Sequence, residues 1–171
     1  IQSYQIREIV VREKYRSASL RSTNGLQSFR RDQLQTMPGL MLPDAVKYFS
    51  GVNLKDFGGI GGLKTISVRS LGANHTAVSV DGVTVSDVQT GQIDISQFSL
   101  DMIETTGVSQ GQADQLFQPA RNFASGSLLQ LQSYFPVLSD SHTSAGRVSF
   151  KTGSFGLIQP SANLFIRLNE R

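Results

Sequence analysis

The chain has 171 residues, 39% of them hydrophobic and 17% charged, which suits one domain, or one domain plus a fragment of another. It contains no cysteine, which excludes a disulfide framework, a thiolate metal site and a cysteine nucleophile. No run of residues approaches the roughly 18 apolar residues of a membrane-spanning helix.

The net charge of +3 is unevenly distributed along the chain. Residues 1–31 carry seven basic and two acidic side chains, hence +5, and the other 140 residues carry nine basic and eleven acidic ones, hence −2. A basic arm can bind phosphate or anionic lipid, but we favour a solvated, extended lead-in. Because few aromatic residues are interleaved with these charges, we expect no nucleic-acid partner.

The N-terminal part begins with a strand-like run, Tyr4–Val11, and continues with a serine- and arginine-rich stretch that is typical of a linker. A short strand is predicted at Leu26–Arg30. We therefore assign residues 1–25 to an N-terminal segment with its linker, and begin the folded domain at residue 26.

A helix is predicted over Pro43–Phe49, because Leu42, Val46 and Phe49 recur at helical spacing on one face. Its opening proline suits the first helical turn, because the N–H groups there have no partner within the helix and proline lacks only that group. Gly51 supplies a left-handed stop.

The glycine-rich stretch Gly58–Gly62 is predicted to be a flexible loop leading into a strand, Ile66–Arg69. It resembles a phosphate-binding loop, but Leu63 separates the last glycine from Lys64, and a strand follows instead of a helix. We favour a loop whose glycines permit close approach of backbone.

A hairpin is predicted around Asp81-Gly82, a pair that tolerates the positive φ angles of a type I′ turn. A two-residue loop places Val80 opposite Val83 and Val78 opposite Val85. The four valines then share one face, which we expect to be buried.

A helical turn at Phe98–Met102 and strands at Ile103–Val108 and Leu128–Leu131 complete the predicted domain. The elements together indicate an α+β fold over residues 26–140, with a small mixed sheet, short helices and long loops.

The tail, residues 141–171, changes character. Val148 and Phe150 alternate with polar residues, and a second alternating segment follows a loop that contains glycine and proline. This pattern is typical of a lipid-facing barrel strand, and also of any half-buried antiparallel strand. Because an isolated hairpin is marginal in water, we expect an antiparallel hairpin cut from a larger structure.

The residues offer little for chemistry. His75 and His142 have no carboxylate or second histidine at ligand spacing, so we expect no metal and no cofactor. Carboxylates between Asp87 and Glu104 are too widely spaced for a calcium loop. No nucleophile elbow occurs, so an enzyme has no positive support.

The order of segments resembles the N-terminal plug domain of TonB-dependent outer-membrane receptors, over roughly Glu8 to Leu131. The segments are LPDAVKYFSGV, the glycine loop, ISVRSL, AVSVDGVTV and DISQFSLDMIE. The family's Ile-Arg-Gly is matched by Val68-Arg69-Ser70, and its hydrophobic-Asp-Gly-Val hairpin by Val80–Val83. Its Arg-Gly-Pro is replaced by Gln110-Gly111-Gln112. This departure indicates a divergent branch, of which the Bacteroidetes are one candidate source.

The resemblance implies a plug in the lumen of its own transmembrane β-barrel, in the outer membrane, with the N-terminus in the periplasm. Arg69 would form the plug–barrel lock, although Gln110 replaces the family's second arginine. The implied ligand is a small molecule or glycan, such as a siderophore or cobalamin, and the ligand-facing loops would include residues 88–92. The other residues of these loops are Gly58, Gly59, Gly61, Gly62, Ala73, Asn74 and His75.

The segment Glu8-Ile9-Val10-Val11 resembles a TonB box, which would add as a strand to the TonB C-terminal domain. It could equally be an ordinary first strand. The alternative to a transport receptor is a standalone periplasmic or surface module that binds a ligand or protein without transport.

Overall fold

The computed structural model describes residues 25–59, 62–111, 119–136, 144–153, 156 and 158–167. Within these ranges, no helix is long and apolar enough to cross a membrane. The strands are β1 Gln27–Arg30, β2 Val52–Asp56, β3 Lys64–Val68, β4 Thr76–Val80, β5 Val83–Val85, β6 Ile103–Gln110, β7 Ser127–Ser133, β8 Ser144–Thr152 and β9 Ile158–Ile166. The helices are α1 Arg31–Thr36, α2 Leu42–Val46 and α3 Ala120–Ala124, with 3₁₀ turns at Ala73–His75, Ile95–Gln97 and Leu100–Met102.

The main sheet has five strands in the order β1-β6-β7-β4-β5. The pairing of β4 with β7 is parallel and the other three pairings are antiparallel. Two separate antiparallel hairpins, β2–β3 and β8–β9, complete the fold. The predicted α+β class, with a mixed sheet, short helices and a C-terminal hairpin, is confirmed.

The core lies between one face of the main sheet and α2. Leu42, Val46 and Phe49 are at most 3% exposed, as predicted, and the ring of Phe49 stacks on Phe29 of β1 with 4.6 Å between centroids. The helix is shorter than predicted, because its last turn tightens into bonds spanning three residues after Val46. Gly51 then adopts a φ of +76°, the predicted left-handed stop.

The Asp81-Gly82 hairpin has the predicted register, with Val80 opposite Val83 and Val78 opposite Val85. Both turn residues have positive φ. The predicted burial of all four valines is wrong, because Val83 is 67% exposed. It is the first residue of β5, which is an edge strand of the main sheet.

Strand β3 is buried on both faces, from Thr65 to Val68. The reason is its position, since β3 pairs with β2 and also packs against β4 and the 3₁₀ turns at Ala73–His75 and Ile95–Gln97.

Candidate functional site

The C-terminal hairpin has one polar and one apolar face, and the polar face contacts the domain. Arg147, Ser149 and Lys151 alternate inward and are partly buried. Outward, Val148 is 83% exposed and Leu164 of β9 is 70% exposed. This is the reverse of a soluble antiparallel hairpin, whose apolar face covers the core.

The carboxylate of Asp101 is the centre of this contact. Lys151 Nζ lies 2.9 Å from Asp101 Oδ1. The hydroxyls of Ser149 and Ser161 donate to Oδ2 at 3.4 and 3.2 Å. These two serines are directly opposite each other on β8 and β9, with 2.6 Å between their oxygens. One carboxylate therefore binds both strands of the hairpin.

Asp101 is held in place by the 3₁₀ turn Leu100–Met102, where Ser99 Oγ accepts from its backbone N–H. Burial alone would raise the pKa of Asp101, but the Lys151 ammonium and the Ser161 and Ser149 hydroxyls outweigh it and hold the pKa below its ordinary value of 3.8. The carboxylate is therefore charged at neutral pH, as the contact with Lys151 requires.

A second contact, here called the arginine cluster, consists of Arg31 of α1, Tyr134 after β7, Arg147 of β8 and Gln35. The guanidinium carbons of Arg31 and Arg147 lie 3.6 and 5.2 Å from the centroid of the Tyr134 ring. The same ring packs edge-on against Phe165 of β9. The cluster joins the domain to the hairpin beside Asp101. No sequence signal identified it, because its members are far apart in the chain.

Arg69, the predicted lock residue, is exposed, and no ion pair involves it within the described ranges. Its backbone N–H donates to the carbonyl of Gly51 at 2.8 Å. A Cβ built on Gly51 would lie 3.9 Å from Arg69 Cγ and 3.5 Å from Gln110 Nε2. The structure therefore brings Arg69 and Gln110 together beside Gly51.

The glycine loop closes the β2–β3 hairpin. The backbone N–H groups of Gly58 and Gly59 donate to Asp56 Oδ1 at 3.1 and 2.9 Å, which lowers the pKa of that carboxyl. A Cβ on Gly62 would lie 2.5 Å from the backbone of Gly58, so this glycine permits the close approach expected from the sequence.

The other two predicted ligand loops meet near Ser86. Asn74 and His75 line a cleft of about 200 Å³ together with Gly91 and Arg121, whose Nη1 donates to Ser86 Oγ at 2.9 Å. A larger cleft, about 540 Å³, is bounded by Leu63 after the glycine loop and by the segment from Ser86 to Asp94.

The loop between these clefts is held closed by Asp87, whose Oδ1 accepts from the backbone N–H groups of Gln89 and Thr90. Val88 at its tip is fully exposed. Asn74, His75 and residues 88–92 are thus neighbours around Ser86 to Asp94, whereas the glycine loop is represented in these clefts only by Leu63, which follows it. Arg121, the charged side chain of the smaller cleft, was not predicted, since nothing in its local sequence marks it.

Some predicted residues lie outside the described ranges. These are Gly61 of the glycine loop, His142 and the whole TonB-box-like segment Glu8-Ile9-Val10-Val11. Among the residues that are described, no group of three or more His, Asp or Glu side chains could hold a metal ion.

The structure is thus a mixed-sheet domain that contacts the polar face of a hairpin whose apolar face points outward. The chain belongs to the TonB-dependent receptor plug domain family, whose model matches residues 19–121.

Solved structures show the same fold. The pyoverdine outer membrane receptor FpvA from Pseudomonas aeruginosa PAO1 matches with a TM-score of 0.64 at 13% identity, over 85% of this chain and 20% of its own. The siderophore receptor PirA from Acinetobacter baumannii matches at 0.58 and 22%, over 78% and 20%. The copper transporter OprC matches at 0.61 and 15%, over 81% and 21%. This chain spans about a fifth of the length of these proteins.

Proposed function

We propose that this chain is the plug and first barrel hairpin of an outer-membrane receptor that imports a scarce nutrient with energy from TonB. The nutrient belongs to the siderophore, cobalamin or glycan class. The observation that carries the proposal is the hairpin, whose polar face contacts Asp101 while its apolar face is exposed. A lipid-facing barrel strand requires that arrangement.

In this proposal residues 26–140 form the gate and residues 141–171 start the wall of the barrel. The last strand of the main sheet ends at Ser133 and the hairpin begins at Ser144, which supports a boundary between them. Residues 1–25 lie on the periplasmic side, where Glu8–Val11 pairs with the TonB C-terminal domain by strand addition. Pulling on this segment would remodel the plug, and catalysis plays no part.

The ligand would contact the plug at the loops around Ser86 to Asp94. Two clefts meet there, and their lining comes from four parts of the chain, at Leu63 and within residues 74–77, 84–97 and 121–125. Arg121 gives the smaller cleft a positive charge. Arg69, next to Gly51, would pair with a carboxylate of the barrel wall and thereby hold the plug in place.

The role of TonB is tested in the full-length receptor with Val10→Pro. Proline removes a backbone donor, so pull-down by the TonB C-terminal domain and ligand uptake should both be lost while ligand binding persists. Ser17→Pro in the adjoining linker is the control and should retain both. Uptake that is unchanged in Val10→Pro would exclude this segment as the TonB box.

The ligand loops are tested in the same receptor with Asn74→Ala and His75→Ala combined. Ligand affinity should fall roughly tenfold, as for the loss of one or two polar contacts. Gln132→Ala, near the opposite end of the main sheet, should leave affinity unchanged. Equal affinity in the loop variant and the parent receptor would remove these loops from the ligand site.

A further inference from the structure

The arginine cluster places two cations on one aromatic ring. Arg31 is only 9% exposed, and the guanidinium of Arg147 lies near the same Tyr134 ring. Attraction to the ring favours each guanidinium, but the two positive charges repel each other. Burial and the nearby Arg147 charge together lower the pKa of Arg31.

One nitrogen of Arg31 is left without a partner. Nη1 donates to the carbonyl of Ile103 at 3.2 Å. The Gln35 amide, oriented with its oxygen toward the arginines, accepts from Arg31 Nε at 3.1 Å and from Arg147 Nη1 at 2.9 Å. Arg31 Nη2 is buried and has no hydrogen-bond acceptor among the residues that the structure describes. Leaving a charged donor unpaired in the interior is costly, so an acceptor is expected at this position.

The nearby carboxylates of this chain do not supply that acceptor. Both oxygens of Asp101 are already engaged by Lys151 and the two serines. Glu104 is exposed and forms no ion pair with Arg31. Its charge raises the pKa of Arg31 only from a distance. A planar guanidinium fork pairs best with a carboxylate, which it can bind through two parallel bonds.

We propose that the arginine cluster binds a carboxylate side chain, Asp or Glu, from the part of the barrel wall that follows this chain. Arg147 lies on the inward face of β8, so the cluster is at the boundary between plug and wall. Within the described ranges, β8 and β9 pair only with each other, so each leaves an edge free for a further wall strand. The inference rests on the proposed function in one respect, that the chain continues as a barrel.

The test uses the full-length receptor in detergent, freed of native cysteines, with Ser79→Cys as a reporter of plug unfolding. Ser79 is 3% exposed, so its labelling by a thiol reagent in urea reports opening of the main sheet. Each inward-facing Asp and Glu of the barrel wall is replaced by its amide, alone and together with Arg31→Gln or Arg147→Gln. Arg30→Gln is the control, because this neighbouring arginine is exposed.

One barrel carboxylate should couple to both cluster arginines, by roughly tenfold in the unfolding equilibrium constant, and not to Arg30. Additive effects for every barrel carboxylate would overturn the proposal, and so would coupling to Glu104→Gln alone. Sulfate could instead protect Ser79→Cys from labelling in the parent receptor and not in Arg31→Gln. If that happened and no barrel carboxylate were coupled, a solute anion would fill the cluster, and the proposal would be overturned. If Arg31→Gln fails to assemble, the partly exposed Arg147 supplies the same cycle. The uptake of Val10→Pro tests the transport function independently of this coupling. The proposed function and the arginine-cluster proposal can therefore fail separately.

Discussion

Side chains alternate between two faces in both the main sheet and the C-terminal hairpin. The main sheet buries its apolar face, whereas the hairpin turns its polar face toward the domain. In β7, Leu129 and Leu131 are at most 3% exposed. In β9, Leu164 and Ile166 are 70% and 59% exposed, whereas Ser161 and Asn163 on the other face are partly buried. The comparison teaches that a period of two fixes which residues share a face, whereas the neighbouring surface decides which face is buried.

The largest difference between the two regions should appear when a leucine is shortened in each. Leu129→Ala should destabilise the chain by about 3 kcal/mol, since it leaves a cavity in a packed core. Leu164→Ala should change stability by less than about 0.5 kcal/mol, because its side chain is exposed. Urea unfolding of both variants in mild detergent measures the difference. A similar loss in both would mean that the outer face of the hairpin is covered.

The next largest effect is expected at Asp101, whose carboxylate joins the domain to the hairpin. Asp101→Asn keeps the shape but removes the charge that binds Lys151 and two hydroxyls, so the hairpin should lose about 1–2 kcal/mol of attachment. Hydrogen exchange of the β8 and β9 amides should then rise while exchange in β7 stays the same. Asp87→Asn, whose carboxylate only closes its own loop, is the control. Unchanged exchange in Asp101→Asn would show that the arginine cluster alone attaches the hairpin.

Acid should weaken the same contact without a mutation. The folded pKa of Asp101 is lowered, so ionisation stabilises the contact fully above the unfolded value of about 3.8. That stabilisation is lost as the pH falls through the lower, folded pKa. Exchange of the β8 and β9 amides, corrected for intrinsic rates, should therefore be constant from about pH 5 to 8 and rise below about pH 4. Asp101→Asn should lack this acid limb, and a limb that persists would belong to another carboxylate.

The sequence predicted elements whose signals are local. The Asp81-Gly82 turn set its own register, and the spacing of Leu42, Val46 and Phe49 identified the buried helical face. It did not predict α1 or β2, which have no comparable periodicity. The Asp101 contact and the arginine cluster were also missed, because each joins residues more than 40 positions apart that only the tertiary fold brings together.

The smallest expected effect concerns Ser70, where this chain has serine in place of the family's glycine. Ser70 has a φ of +59°, directly after Arg69 at +50°, so two side chains in succession adopt the left-handed conformation. That conformation costs a residue with a Cβ about 1–2 kcal/mol, whereas glycine adopts it freely but loses more chain entropy on folding. Ser70→Gly should therefore stabilise the plug by roughly 0.5–1 kcal/mol in urea unfolding, and Ser125→Gly, at a φ of −84°, should destabilise it. A loss of stability in Ser70→Gly would mean that the serine side chain contributes more than its backbone strain costs, and would locate a contact of the plug that distinguishes this branch of the family.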